Sequence, residues 1–144
     1  MPVDEDYYEE VSMLQRGIQT RKQSDTSVKS VLIVEDDPDI GPFLVESIML
    51  ETPYQAMLVT DAYKALKTIT YLKPNLFILD YRIPYLNGLE LCDRIRQIDG
   101  FKDVPVIMTS AQLPEQEVAK RRIVGMHKPL DLNEFLDTVE RLMA

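Results

Sequence analysis

The feature that most constrains the fold of this chain is a fivefold alternation of short apolar runs with segments of helical periodicity. The runs are four or five residues long, a length typical of buried strands, and comprise Val31–Val34, Gln55–Val59, Leu76–Leu79, Val104–Met108 and Ile123–His127. In most of the segments between them, apolar residues recur every three or four positions, as on one face of a helix. This alternation predicts an α/β fold with a doubly wound, five-stranded parallel sheet.

Several helix starts are marked by polar side chains that cap a first turn. Asp37 precedes Pro38, Asp61 precedes an apolar helix face, and Asp131 stands three residues before Glu134. In the fourth helical segment, 112–122, Pro114 and Glu115 suit a helix start and Lys120-Arg121-Arg122 a helix end, and only Val118 and Ala119 are apolar between them. We therefore expect a short fourth helix that buries little and is mobile or partly unwound.

Composition limits the classes of function. The 144 residues are 45% hydrophobic and predict one domain, 30–144, preceded by an acidic extension, 1–29. A single cysteine, Cys92, excludes an internal disulfide framework and a zinc site built on several thiolates. A net charge of −8 argues against direct nucleic-acid binding, and the absence of a long apolar run or a secretory signal predicts a cytoplasmic protein without a membrane partner.

The extension 1–29 has a pattern of its own. Its apolar residues follow a 4-3-4 spacing that would place four side chains on one helical stripe, namely Tyr7, Val11, Leu14 and Ile18. A polar linker, 21–30, follows. Two interpretations stay open: a docking or dimerising helix, which would allow a homodimer, and a frayed tail too short to form a coiled coil alone.

Polar side chains capable of chemistry stand at the ends of four predicted strands. The carboxyl ends of parallel strands meet at one edge of a sheet, so topology should gather these residues, which are Glu35, Asp36, Asp80, Thr109, Ser110 and Lys128. Crowded carboxylates repel one another, and a Mg²⁺ ion, which prefers oxygen ligands, relieves that repulsion. Asp80 alone would more often be a turn residue, but in this set it is predicted to be a nucleophile that takes up a phosphoryl group.

These motifs together resemble the receiver domain of two-component response regulators. The resemblance rests on VLIVEDD at 31–37, DYRIPYLNG at 80–88, VPVIMTSA at 104–111 and the pair Lys128-Pro129. It implies a (βα)5 flavodoxin-like fold and phosphorylation of Asp80 by a sensor histidine kinase or a histidine phosphotransfer protein. Apart from its own phosphorylation and dephosphorylation, such a domain is a signalling protein and not an enzyme.

The resemblance also implies a role for each site residue. Asp36 and Asp80 would bind Mg²⁺ directly, with the backbone carbonyl of Arg82 as a third ligand, and Glu35 would act through water. Ser110 and Lys128 would contact the phosphoryl oxygens. The side chains of Arg82 and Gln112 would affect how long the phosphoryl group persists.

The sequence departs from the receiver pattern between Ser110 and Lys128. This interval is shorter than usual by about one helical turn, and Gly125 stands where receivers usually carry Tyr or Phe. His127 shares a strand face with Gly125 and is a candidate replacement for the missing ring, although an ordinary exposed histidine is the simpler interpretation. The basic run Lys120-Arg121-Arg122 is either a partner contact or a solvated helix end.

The leading prediction is a stand-alone receiver that signals through a downstream protein or a phosphorelay. The alternative is a phosphorylation-independent interaction module with the same fold. A phosphohydrolase with an Asp nucleophile is disfavoured because Arg82 stands where such enzymes usually carry a second Asp. A flavin-binding relative is disfavoured by the acidic first loop, since a phosphate-binding loop needs backbone donors and hydroxyls.

Overall fold

The computed structural model describes residues 28–144, which form one parallel sheet of five strands flanked by helices. The strands are β1 (Ser30–Val34), β2 (Gln55–Val59), β3 (Leu76–Asp80), β4 (Val106–Ser110) and β5 (Val124–His127). Their spatial order is β2-β1-β3-β4-β5, with β2 and β5 at the edges. The predicted doubly wound α/β fold is confirmed, as is the edge position expected for β2 because of its weaker apolar pattern.

Five helices follow the strands in the described part of the chain. They are α1 (Ile40–Glu51), α2 (Ala62–Thr68), α3 (Gly88–Arg96), α4 (Glu115–Lys120) and α5 (Leu132–Met143). The side chains of Asp61 and Asp131 accept hydrogen bonds from the backbone N–H groups of Lys64 and Glu134, so both act as N-caps. Asp37 likewise accepts from Asp39 and Ile40, although the regular helix begins only at Ile40.

Two apolar layers hold the sheet, because successive strand residues point to opposite faces. On one face, Leu32, Phe77 and Leu79 pack in a cluster with α2, α3 and α4. On the other face, Ile33 and Ile78 pack with α1 and α5. Both faces of β3 and β4 are buried, which explains why these strands read as continuous apolar runs.

Several boundaries differ from the sequence prediction, among them those of β4 and α2. β4 runs to Ser110 and begins at Val106, since the backbone N–H of Val104 bonds to Phe101 in the preceding turn and Pro105 has no N–H to give. Thr109 and Ser110 are therefore strand residues. α2 ends at Thr68, and its apolar periodicity continues into hydrogen-bonded turns rather than into further helix.

The fourth crossover is helical over six residues and buries only Val118, so the prediction of a short helix that buries little is confirmed, whereas its mobility stays a prediction. The Arg121 guanidinium forms a two-pronged ion pair with Asp93 of α3 (2.8 and 3.0 Å) and a further one with Glu117 (3.0 Å). Within the basic run, Arg121 is held by contacts inside the domain, whereas Lys120 lies 3.2 Å from Glu117 with most of its side chain exposed. Whether the run contacts a partner stays a prediction.

The predicted stripe and most of the predicted linker, 21–27, lie outside the described residues, and Ser30 at the end of that linker already belongs to β1. The boundary between extension and domain stays a prediction. Within residues 28–144, every helix falls short of the length and apolar character needed to cross a membrane.

Candidate functional site

Three carboxylates meet at the carboxyl edge of the sheet. Glu35 and Asp36 directly follow β1, and Asp80 is the last residue of the adjacent β3. One oxygen of each side chain lies within 4.8 Å of those of the others. Glu35 and Asp80 are buried whereas Asp36 is exposed, so the cluster opens to solvent on the Asp36 side.

Lys128 joins two of these carboxylates from the far end of the sheet. Its Nζ donates to Glu35 Oε1 at 2.8 Å and to Asp80 Oδ2 at 3.2 Å. Its backbone N–H is fixed by the carbonyl of Ser110 (2.9 Å), and its peptide bond to Pro129 is cis. The ammonium therefore reaches across β4 to the acidic cluster.

Burial and neighbouring charges shift the pKa values of both Glu35 and Lys128. Burial raises the pKa of Glu35, an effect that the hydrogen bond from Lys128 opposes and the neighbouring Asp80 reinforces. Burial by itself would lower the pKa of Lys128, but its hydrogen bonds and charge interactions with Glu35 and Asp80 outweigh this and raise the pKa. The ammonium is thus held charged among the carboxylates.

The hydroxyl at the end of β4 lies in a short local turn. Ser110 is 4% exposed, its Oγ donates to the carbonyl of Gln112 (3.0 Å), and it accepts from the N–H of Gln112 (3.1 Å). The hydroxyl proton is thus engaged within its own loop and not with Asp80. The side chains of Gln112 and Arg82 are exposed near this edge.

The loop after β3 positions Asp80 through the start of α3. Asn87 and Glu90 form a reciprocal capping box, which the spacing N-x-x-E could have revealed but the sequence reading treated only as a turn. The N–H of Gly88 bonds to the carbonyl of Tyr81 (2.8 Å), and a Cβ at Gly88 would lie 2.8 Å from the carbonyl of Asp80. Only glycine allows the helix to start this close to the acidic strand end.

The donor set suits a hard divalent cation. Mg²⁺ binds oxygen at about 2.0–2.1 Å, so two ligands of one ion lie at most about 4.2 Å apart. The carboxylate oxygens of Glu35, Asp36 and Asp80 lie within 4.8 Å of one another, which is close to this limit. Whether the Arg82 carbonyl joins them stays a prediction; its N–H donates to Asp80 Oδ1 at 3.3 Å.

The space beside Gly125 is filled by Leu113. A Cβ built at Gly125 would lie 2.9 Å from Leu113 Cδ1 and 3.4 Å from Val118 Cγ1. The imidazole of His127 is 59% exposed, with its Nε2 3.5 Å from Glu115 Oε1 of α4. This position is that of an ordinary surface histidine. The sequence did not predict the contact of Leu113 with Gly125, because it depends on the course of the backbone between β4 and β5.

Comparison with known proteins identifies the family. The family model described as "Response regulator receiver domain" matches residues 31–140. The chain belongs to this family. It is therefore a receiver domain of the two-component signalling type, whose members bind Mg²⁺ through acidic residues and interact with histidine kinases or phosphotransfer proteins.

Individual relatives differ in how much of their length the chain spans. It is 32% identical over 102 residues to the transcriptional regulatory protein BaeR of Escherichia coli, a match covering 71% of this chain but 39% of BaeR. It is 27% identical over 117 residues to sporulation initiation phosphotransferase F of Bacillus subtilis, covering 80% of this chain and 94% of that protein. The chain thus spans less than half of some curated relatives and nearly all of others.

The fold likeness extends to solved structures. The chemotaxis protein CheY4 of Vibrio cholerae superimposes with a TM-score of 0.73 at 24% identity, covering 80% of this chain and 98% of that chain. At this identity the likeness concerns the fold alone.

Proposed function

We propose that this chain is a phosphoryl-accepting receiver in which Asp80 takes a phosphoryl group from a histidine kinase or a histidine phosphotransfer protein. The observation that carries the proposal is the position of Lys128 Nζ, 2.8 Å from Glu35 and 3.2 Å from Asp80 at the exposed edge of the sheet. A carboxylate nucleophile, a second acid and a charged ammonium stand together where an incoming phosphoryl group can reach them.

The chemical step is a transfer between two nucleophiles. An oxygen of Asp80 attacks the phosphorus of a phosphohistidine, the new O–P bond forms as the P–N bond breaks, and the released electron pair stays on the imidazole. Lys128 exchanges its contact with Asp80 for a phosphoryl oxygen. The Ser110 hydroxyl gives up the Gln112 carbonyl and donates to a second phosphoryl oxygen.

Asp36 and Asp80 would hold Mg²⁺, with Glu35 acting through water and the Arg82 carbonyl as the further ligand. When bound, the cation neutralises negative charge on the phosphoryl group and on the crowded carboxylates. Two contacts within the chain hold the carboxylates in place. Lys128 binds Glu35, and the turn at Gly88 fixes the end of β3 that carries Asp80.

Signalling would follow through a downstream protein or onward transfer in a phosphorelay. Sporulation initiation phosphotransferase F, whose name states phosphotransfer, is spanned almost fully by this chain and favours the relay form. A cytoplasmic location and a homodimer stay predictions from the sequence.

The test is incubation with an acyl phosphate and Mg²⁺, followed by intact mass measurement. We expect the wild-type chain to gain one phosphoryl group that hydroxylamine removes, and Asp80→Asn to gain none. Asp103→Asn is the matched control, because Asp103 is an exposed aspartate in the loop before β4 and should leave the adduct unchanged. An adduct on Asp80→Asn, or none on the wild type, would contradict the proposal.

A second candidate function is a phosphorylation-independent interaction module. One observation favours it. Position 125 is a glycine and has no aromatic ring that could move in response to a phosphoryl group, and Leu113 fills the space beside it. A wild-type chain that gains no phosphoryl group and shows no Mg²⁺ binding, measured by titration calorimetry, would support this candidate instead.

A further inference from the structure

An apolar groove lies between α1 and the edge strand β2, on the side of the domain away from the shortened crossover. It is a shallow groove, open to solvent, with a volume of about 490 Å³, and it is lined by Pro42, Val45, Glu46, Met49, Leu50 and Leu58. Met49 and Leu50 are 54% and 73% exposed, and Phe43 of the same helix is 53% exposed. Three large apolar side chains on one helix of twelve residues make an unusual surface for an acidic domain.

The groove continues to the point where the described chain begins. A smaller cavity of about 180 Å³ shares Met49 with the groove, and Ser30 at the start of β1 also lines it. The N–H of Gln55 bonds to the carbonyl of Lys29, which fixes the incoming chain beside β2. Val28, 44% exposed, is the described residue nearest to the extension. Residues 1–27 therefore join the domain next to this apolar surface.

We propose that residues 7–18 of the extension form a helix that docks in the groove between α1 and β2. The segment has the required apolar stripe, Tyr7, Val11, Leu14 and Ile18. Twelve helical residues are about 18 Å long, the same length as the twelve residues of α1.

The connection has the reach that docking needs. Nine residues, 19–27, separate the stripe from Val28. Extended, they span up to about 30 Å, more than the length of α1. The same connection is short enough to keep the stripe at a high effective concentration beside the groove, so weak apolar contacts suffice to hold it.

Charge complements the apolar match at the end of the extension nearest to the domain, whereas most of its acidic residues lie at its start, in 4–10. The last turn of α1 contains no basic residue and ends on Glu51, at the end of the helix where the backbone dipole favours a cation. Glu46 lines the groove itself. The end of the extension nearest to the domain carries Arg16, Arg21 and Lys22. Docking with the stripe along α1 brings these cations to the acidic end of the helix.

Docking would cover both the exposed apolar face of α1 and the unpaired side of β2. An edge strand with an open backbone is prone to pair with other chains, and a covering helix is one of the ways in which proteins protect it. A partner that uses the α1 face would first have to displace residues 7–18.

The test uses the full chain with a nitroxide attached to Pro53→Cys, an exposed position beside the groove but outside its lining. The native Cys92 is fully buried, so unsubstituted protein is the labelling control. We expect amide signals of residues 7–18 to lose more than half of their intensity in the oxidised sample. A nitroxide on Gln97→Cys, exposed just after α3 on the opposite face of the sheet, should leave those signals unchanged.

Matched substitutions separate docking from chance proximity. Val11→Asp with Leu14→Asp disrupts the stripe and should restore the signals, as should Leu50→Asp in the groove. Ser12→Asp with Met13→Asp adds the same charge on the side of the helix away from the stripe and should leave the broadening in place. Signals from residues 30–144 report that each variant is folded.

Two results would overturn the proposal. Full intensity throughout residues 7–18 in the oxidised Pro53→Cys sample would mean that the segment does not visit the groove. Broadening of equal extent when nitroxide-labelled protein without isotope enrichment is mixed with isotope-enriched, unlabelled wild type would mean that the groove takes a second copy of the chain. Neither outcome depends on phosphorylation of Asp80.

Discussion

The two crossovers on either side of β4 pack against the same face of the sheet but are held in different ways. α3 has nine residues, a complete capping box and five buried residues, including Leu91 and Cys92 at 0% exposure. α4 has six residues, no side-chain cap and one buried residue, Val118. The first helix is held by its apolar face, whereas the second relies on charged side chains from its neighbour.

Arg96 of α3 supplies much of what α4 lacks. Its Nη1 donates to the carbonyl of Arg121, where α4 ends, and its Nη2 donates to the carbonyl of Val104 at 3.1 Å. Its Nε is buried without a hydrogen-bond partner among the described residues. Arg121 in turn binds Asp93, so two arginines join the helices. A helix too short to bury an apolar face is thus fixed by a hydrogen bond to one carbonyl at its end and by an ion pair with the neighbouring helix.

The largest expected effect comes from removing the Arg96 contact. Arg96→Met keeps an apolar stem but leaves two carbonyls without their donor, and we expect the free energy of unfolding to fall by about 1–3 kcal/mol. Urea titration measures the change, and amide hydrogen exchange should increase in residues 115–123 more than in α3.

Arg94→Met is the control for this substitution, since Arg94 lies on the same helix and is exposed. It should change stability by less than about 0.5 kcal/mol. Equal losses in the two variants would show that Arg96 contributes no more than its charge and helical propensity.

An intermediate effect is expected at Gly125, where the shortened crossover lies against β5. Gly125→Ala places a methyl group 2.9 Å from Leu113 Cδ1. Because that atom ends a flexible side chain, we expect a loss of about 1 kcal/mol, at the lower end of overpacking costs. Chemical denaturation of both single variants and of the double variant Gly125→Ala with Leu113→Ala tests the contact.

The double variant should lose less stability than the sum of the two single losses, because removing Leu113 frees the space that the new methyl group needs. Strict additivity would mean that Leu113 does not restrict position 125. The same cycle with Gly125→Tyr would show whether the ring usual in receivers can be accommodated once Leu113 is cut back.

The smallest effect is expected from the ion pair that joins the helices. The hydrogen bond from Arg121 lowers the pKa of Asp93 below its ordinary value of 3.8. The ionised Asp93 carboxylate therefore stabilises the fold at pH values above 3.8, and this stabilisation is lost as the pH falls through the lowered pKa of Asp93. Asp93→Asn should cost about 0.2–1 kcal/mol at neutral pH, since about half of the Asp93 side chain is exposed and solvent screens the pair.

Thermal unfolding of the wild type and of Asp93→Asn between pH 7 and pH 3 measures this difference, which should shrink on the acid side. Asp103→Asn serves as the control because Asp103 is exposed in the loop before β4. A difference that grows as the pH falls would contradict the assigned sign.

Much of the site could be predicted from residue type and topology. Once Val31–Val34 and Leu76–Leu79 are identified as neighbouring strands, Glu35, Asp36 and Asp80 must meet at one edge. The same argument places Ser110, at the end of β4, and Lys128, directly after β5, at this edge. The state of the Ser110 hydroxyl could not be predicted, since its bonds to Gln112 depend on the conformation of one loop.

The sequence by itself determined the parallel sheet, because apolar strand runs have few ways to be buried on both faces, and it determined which polar residues stand at the strand ends. The tertiary structure alone decided how the fourth crossover is held. Arg96 and Arg121 are 25 positions apart and Asp93 and Arg121 are 28 apart. Leu113 reaches Gly125 across a short helix. Such contacts depend on the position of a helix relative to its neighbours. Apolar periodicity predicts only which face of the helix is buried.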